Sequence, residues 1–457
     1  MTDPVTVAPS VRPPSSSISV KFKISKVGVF LTVGFLLLAG RVFRLVYLYS
    51  VNIMYTDQWA IADATLFGKH SLISIFRWQY GPHRQGVGGL LEKCFNPLIH
   101  WNSRYEAFLL ATLVCGAAVF AIWLKRRLFG KIQYSDIVIL VIFLTPVQYQ
   151  VFTEATNPSH GPLPLLLFVL YCFAWTLPDT RRKYAIVLFL NFLLIYTAFG
   201  LFAGFVTPLV LACDYLHCRR RASLIAGIIA VLSLLSFFVG YTLQPAVNCF
   251  SLKPHNPVHY LLFVGFMLSS FVQIRPSLML IPAILAGGLL LLSATVVFLR
   301  SCRNLMSEFN SRNIVVFALL AYALLFCFTT AYGRLCLGLG ASQGSRYMTY
   351  LVLLFFAFYL MALTVKVDFE RRVFIGLVVL LAAMSGARIA PEDAANMAAI
   401  RDVRTQWRNC YLATRDIHAC DLQTHAYIYW NPEPPDLEWK LKFLEQHHLN
   451  LYEDRSH

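Results

Sequence analysis

Long apolar runs recur along the 457-residue chain, each followed by a short polar or basic stretch. A run of about 18 residues or more crosses a hydrocarbon core as a helix rising about 1.5 Å per residue. Hydrocarbon offers no hydrogen bonds, so such runs must satisfy their own backbone, and a helix does so within one segment. The expected fold is therefore all-α, a polytopic transmembrane helix bundle. With 58% hydrophobic and only 14% charged residues, an ordinary soluble domain is excluded. The net charge of +16 suggests a polyanion until its placement is considered. The cations cluster between apolar runs, at Lys125-Arg126-Arg127, Arg181-Arg182-Lys183, Arg219-Arg220-Arg221, and Lys366 with Arg371-Arg372. That pattern orients a membrane protein, positive side inward, and does not call for nucleic acid.

The expected organisation has three parts. Residues 1–26 read as a disordered cytoplasmic tail, rich in Pro and Ser and ending in Lys21, Lys23 and Lys26. Residues 27–387 form the membrane domain, and its first run reads as a retained signal-anchor rather than a cleaved leader. Its spans are expected at Val27–Tyr49, Tyr105–Leu124, Asp136–Val151, Pro162–Leu177, Tyr184–Tyr196, Leu201–His217 and Leu224–Leu243. Further spans are expected at Leu278–Leu299, Ile314–Thr330, Met348–Val365 and Val373–Ser385, eleven in all. If Tyr260–Val272 also crossed, Arg300, Arg303 and Arg312 would face outward. The charge rule therefore makes that stretch re-entrant or interfacial, and so a pointer to a cavity. Residues 388–457 are then a soluble tail outside, with helices expected at Glu392–Trp407 and Leu437–His447 and a mixed stretch around Tyr427–Trp430.

Cys115, Cys172, Cys213, Cys302 and Cys327 lie in or beside apolar runs and are expected as small hydrophobes. Cys410 and Cys420 fall in the outer tail, where a disulfide is expected in an oxidising compartment. No cysteine or histidine spacing suggests zinc. Trp407, Tyr411, Tyr427, Tyr429, Trp430 and Trp439 could stack on sugars, but a small domain resting on a membrane needs aromatics for its core, which is the better reading.

Candidate chemistry gathers on the outer side. Asp57, in Tyr55-Thr56-Asp57-Gln58-Trp59, opens the long loop 50–104 at the mouth of a hydrophobic bundle. A carboxylate there accepts a proton from an attacking hydroxyl, holds a divalent cation, or merely sits in an aromatic belt. The same loop carries Arg77 and Trp78, then Gln79-Tyr80-Gly81-Pro82-His83-Arg84-Gln85, where an Arg beside a His suits a phosphate or a lipid headgroup. Glu154 and His160 flank the turn Asn157-Pro158 on the same side. Gly333, Gly338, Gly340 and Gly344 lie in an outer loop framed by Arg334 and by Ser345-Arg346-Tyr347. Glycine backbone lets N–H groups approach an anion and arginine adds paired hydrogen bonds, whereas the bland reading is a flexible hairpin with snorkelling arginines. Arg41 and Arg44, inside the first span, admit the same two readings, snorkelling being favoured for Arg44.

These features together resemble the GT-C superfamily of membrane glycosyltransferases, including its bacterial members. The resemblance rests on Asp57-Gln58-Trp59 after the first span, the long first outer loop, the close span pair at Thr197–Gly200, and the loop holding Gly333-Arg334 and Ser345-Arg346-Tyr347. It implies a polyprenyl-(pyro)phosphate sugar donor and transfer to an envelope glycan, lipid or protein at the outer face of the bacterial inner membrane. Asp57 would be the base or a carboxylate linked to a divalent metal, Mg or Mn. Arg346 and Arg334 would hold donor phosphate, with His83, Arg84, Tyr347, Glu154 and His160 as further substrate contacts. Some relatives carry Asn-Glu-His-Arg where this chain has Gly81-Pro82-His83-Arg84, and the missing carboxylate argues against a metal at that loop. Two other readings share these residues. A lipid-linked saccharide flippase or polymerase-type protein needs Arg346 but no proton acceptor. A non-catalytic envelope assembly protein depends on the tail instead. An ion channel or secondary transporter is disfavoured, because the spans hold few acidic residues and show no inverted repeat.

Overall fold

The computed structural model describes residues 25–154, 157–178, 180–242, 256–429 and 436–455. Lys21 and Lys23 of the expected N-terminal tail, Asn248, Lys253 and His255 of a polar loop, and Trp430 lie outside the described residues. Apart from a two-residue hairpin, the described elements are helical.

Helix α1 (Lys26–Tyr49) leads into the first loop, which is itself folded. It contains α2 (Asp57–Ala62), a π-turn at Asp63–Phe67, α3 (Leu72–Arg77), the hairpin of β1 (Gln79–Tyr80) with β2 (His83–Arg84), and α4 (Gly86–Phe95). Helix α5 (Ser103–Phe129) follows, capped by the Asn102 side chain. The expected third span is broken into α6 (Ile137–Phe143) and α7 (Tyr149–Thr153) around Thr145-Pro146. Then come α8 (Pro162–Ala174), α9 (Thr180–Ile195), α10 (Leu201–Cys218) and α11 (Arg221–Phe237). The second half holds α12 (Pro257–Phe271), α13 (Leu280–Ser307), α14 (Ser311–Arg334), α15 (Met348–Ala362) and α16 (Asp368–Gly386). The tail adds α17 (Pro391–Thr414), α18 (Ile417–Thr424) and α19 (Leu437–Gln446).

Among the described residues eight helices or helix runs are long and apolar enough to cross a membrane: α1, α5, α6–α7, α10, α13, α14, α15 and α16–α17. Helices α8, α11 and α12 are apolar but shorter. In lipid, helix association depends on close contact rather than on expelling water. Helix α5 accordingly turns Ala107, Ala111, Ala118 and Ala121, all fully buried, into the bundle, where it packs on α8. Gly265 of α12 meets Gly287 of α13, where a Cβ on Gly287 would lie 2.4 Å from the Gly265 carbonyl oxygen.

The helix ends gather at two poles. At one, Arg312 donates to Leu128 O, Ser311 to Trp175 O, and His217 meets Met306 O. At the other lie Asp57 and the tail. Helix α12 has both ends at this second pole. The Tyr260 ring stacks on Tyr332 at 6.3 Å, and Gln273 donates to Ser385 O and Arg388 O. With 15 residues it spans roughly 22 Å, short of the roughly 30 Å hydrocarbon core.

Three sequence expectations change. Arg41 neither snorkels nor reaches an anion. It donates to Gly386 O and, at 3.0 Å, to Leu144 O, carbonyls freed where α16 ends and where Pro146 interrupts α6–α7. Lys125 is no solvated orienting charge, because it is fully buried and paired with Asp136 at 2.7 Å. The tail is not a separate unit either. Trp407, Tyr411, Ile428, Leu441 and Leu451 share one core with Val51, Ile53, Met54, Trp59 and Trp101 of the first loop. Within it Cys410 and Cys420 are disulfide-bonded, and Trp407 and Tyr429 both hydrogen-bond Asp421. Tyr427 and Trp439 remain exposed.

Candidate functional site

Asp57 is the first residue of α2, and its placement begins one residue earlier. Thr56 has φ +48° and ψ −110°, a backbone conformation that an L-residue adopts only under constraint. The constraint comes from the tail, because Thr56 N–H donates to Ile428 O at 2.7 Å. Beside it, Arg404 from α17 is 1% exposed and donates to Thr153 O, Val51 O and Ile53 O. Its guanidinium also lies over the Tyr55 ring, 5.0 Å from the centroid. One buried cation thus ties the tail, the end of α7 and the entry to α2 together.

The Asp57 carboxylate is 14% exposed and engages two side chains. Tyr80 Oη donates to one oxygen at 2.9 Å, and His160 Nδ1 lies 3.7 Å from the other. The β-hairpin supplies Tyr80, and the 3-10 turn Pro158–His160 supplies His160. Behind them the His83 ring packs on His160 at 5.3 Å and on Phe199 at 4.3 Å. Burial, with His160 and Arg334 adding, pushes His83 well below the ordinary histidine value, so it is a neutral ring under the site.

Asp57 opens onto a cavity of about 360 Å³ lined also by Tyr55, Gln150, Glu154, Gly340, Gly344, Arg346 and Tyr347. Helix α7 presents Gln150 and Glu154 because the Thr145-Pro146 break ends α6 and starts a new axis. The 3-10 turn Ser345–Tyr347 is fixed from below: Ser345 Oγ donates to Val147 O at 2.7 Å, and Arg346 N–H to Gln150 Oε1 at 3.1 Å. The Arg346 guanidinium rests over Tyr347, 5.5 Å from the ring centroid. Burial raises the Glu154 carboxyl above its ordinary value, while Arg404 and Arg346 partly offset this. Burial and Glu154 likewise raise the Tyr55 phenol.

Of the residues singled out in the sequence, Asp57, Glu154, Arg346 and Tyr347 therefore share one cavity, and His160 contacts Asp57 directly. His83 lies one layer behind. Arg334 ends α14 and acts on His83 through its charge. Arg84 does not belong to the cavity. It is 3% exposed, and its donors go to Phe237 O at 2.9 Å, Val239 O at 2.8 Å and Arg77 O. Its plane also faces Tyr196 and Phe237, so it locks the hairpin onto α11. A guanidinium spent on three carbonyls has no fork left for a phosphate. Gln150 and Arg404 were not singled out. In the sequence Gln150 stands at the edge of the expected span Asp136–Val151 and Arg404 within the polar stretch Glu392–Trp407, and neither position marks itself. Among the described residues no three His, Cys, Asp or Glu side chains converge as metal ligands.

Comparison with known proteins adds nothing to this geometry: no family model, curated protein or solved structure matches the chain.

Proposed function

We propose that the protein is a membrane glycosyltransferase that moves a sugar from a polyprenyl-(pyro)phosphate donor to an envelope acceptor. The observation that carries this reading is the single cavity lined by both Asp57 and Arg346. A carboxylate and a guanidinium facing one space of that size suit a hydroxyl nucleophile on one side and a phosphate leaving group on the other. The acceptor hydroxyl oxygen attacks the anomeric carbon as the bond from that carbon to the phosphate oxygen breaks. The hydroxyl proton passes to Asp57, and the departing phosphate keeps the electron pair beside Arg346, with Arg334 adding positive potential. One displacement inverts the anomeric centre. Tyr80 and His160 hold the carboxylate in register. Glu154 lines the cavity where a sugar hydroxyl would meet it, and Tyr347 offers an aromatic face. A divalent metal, Mg or Mn, would act here by neutralising a pyrophosphate, and Asp57 and Glu154 are the carboxylates that would meet it.

In this reading the chain crosses the membrane eleven times and α12 does not cross, with the cavity on the extracytoplasmic side of a bacterial inner membrane. Two features support that orientation. Disulfide-bonded Cys410, Cys420 and Cys336 lie at the cavity pole, whereas Arg181-Arg182-Lys183 and Arg219-Arg220-Arg221 lie at the opposite one. The test is transfer from a synthetic polyprenyl-linked sugar by purified protein. Asp57→Asn is expected to cut turnover by about 10²- to 10⁴-fold, the usual contribution of a positioned base. Full activity in that variant, with loss in Arg346→Ala, would instead support a flippase-type protein that needs no proton acceptor.

A further inference from the structure

Helices α13 and α16 do not close on one another. Helix α13 packs chiefly on α12 and α14, and α16 on α6 and α15. A groove of about 490 Å³ is left between them, with α15 as its floor. Its walls include Leu289 and Val296 from α13 and Leu377 and Leu381 from α16, and Phe358 lies in the floor. Leu289, Val296 and Leu377 are exposed, so the groove opens sideways on the face of the bundle that meets the bilayer. Among the described residues its only polar side chains are Ser293 and Arg300.

The groove runs from Ile274 and Met384, at the Asp57 pole, to Arg300 and Val365 near the opposite one. From Ala286 to Arg300 helix α13 rises about 21 Å. That is close to one leaflet with its headgroup layer, half of about 40–45 Å. Arg300 sits about two turns before α13 ends at Ser307. An arginine in an apolar span is costly unless its guanidinium reaches a partner or a headgroup. Arg303 continues the same face one turn on. Both arginines are exposed and, among the described residues, have no ion-pair partner. Across the groove stand Lys366, Arg371 and Arg372, against Asp368 and Glu370. This mouth is therefore positive, five cations to two carboxylates over residues 300–303 and 366–372.

The occupant has to be apolar along its length and anionic at that end. Water does not fill an apolar space of this kind. A helix about 10 Å across would need roughly 1,600 Å³ over the same length, about three times what the groove holds. Membrane helices also meet through small residues, whereas these walls are Leu, Val and Phe. A hydrocarbon chain fits the width, and a basic pocket between spans suits an anionic headgroup. We propose that the groove binds one anionic phospholipid, with an acyl chain lying on α15 between α13 and α16 and its phosphate held by Arg300 and Arg303. The inference does not depend on the transferase reading, and its tests read lipid binding rather than transfer.

Full-length protein in mild non-ionic detergent, stripped of bound lipid, is titrated with phosphatidylglycerol or with phosphatidylcholine of the same chains. Occupancy is read by mass spectrometry of the intact complex. The expected result is one saturable phosphatidylglycerol site, roughly 10- to 30-fold tighter than for phosphatidylcholine, since each arginine adds about fivefold. Arg300→Gln with Arg303→Gln alters two exposed side chains, so it is expected to fold and to bind both lipids equally and weakly. Ser293→Trp puts an indole into the groove and is expected to weaken both lipids. Glycerol phosphate, the charge without the chain, is expected not to compete. Equal affinity of wild type for the two lipids overturns the proposal, as does a preference that survives in the arginine variant. Competition by glycerol phosphate overturns it by reducing the site to a surface anion site. A wild-type dimer that excludes lipid overturns it by making the groove an interface between copies. Unchanged binding in folded Ser293→Trp removes the chain from the groove, and the other outcomes decide the matter if that variant does not fold.

Discussion

Arg404 shows how one residue can decide the shape of a site it does not line. Its side chain is buried, and its donors end on the carbonyls of Val51, Ile53 and Thr153. Removing a buried cation strands those carbonyls, and burial makes stranded acceptors expensive. Arg404→Met is expected to lower stability by about 3 kcal/mol, read as a drop in the thermal midpoint of the detergent-solubilised protein. Lysine should rescue little, since one ammonium cannot match the fork. Glu154, one residue beyond the Thr153 carbonyl, carries a pH prediction. Burial raises its folded-state value above 4.5, so the folded chain binds the proton more tightly than the unfolded chain does. Its contribution to stability is therefore full below about pH 4.5 and is lost as pH rises through the raised value. The midpoint of wild type minus that of Glu154→Gln should decline as pH is raised from 4.5. A flat difference would show that the carboxyl is not buried in the folded protein. The residues of this site were unevenly legible. Asp57 and Arg346 stand out because charge at the mouth of an apolar run is rare.

At the scale of elements, the break between α6 and α7 does the most to build the cavity. Proline at position 146 removes a donor, and a broken helix at membrane depth survives only if protein satisfies the freed carbonyls. Arg41 from α1 does this for Leu144 O and Gly386 O, and Thr145 Oγ1 donates to Ser385 O at 2.7 Å. Arg41→Met is expected to cost about 2 kcal/mol. It should also reduce transfer, because α7 carries Gln150 and Glu154 into the cavity. A variant as stable as wild type would mean that other groups hold the break. Hydrophobic length and charge placement made the bundle itself readable, since both are one-dimensional properties. The break was marked by Pro146, but its rescue by an arginine 105 positions upstream follows from packing, which one strand of sequence does not record.

For the molecule as a whole, the decisive fact is that the tail and the first loop are one body standing on the bundle. The sequence separates them by more than 280 positions, so periodicity could give each helix but not their union. Fully buried Asn450 is the joint. It accepts from Met54 N–H at 3.1 Å, donates through Nδ2 to Trp101 O at 2.6 Å and Ser103 Oγ at 3.1 Å, and receives Asn52 Nδ2 on its carbonyl at 2.8 Å. This union weakens tail deletion as a test of function. Removing the segment after Arg388 would uncover Trp59 and Trp101 and release Thr56 from Ile428, so activity would vanish whether the tail binds a partner or merely shapes the site. Asn450→Ala separates the cases. It leaves the tail surface intact but strands several buried groups, at an expected cost of about 3 kcal/mol. If the tail serves the site, this variant should show earlier proteolysis within residues 51–67 and a fall in turnover that lowering the temperature restores. If the tail were only a docking platform, turnover at low temperature would match wild type at every stage of that loosening, and cleavage in the first loop would not precede loss of the tail.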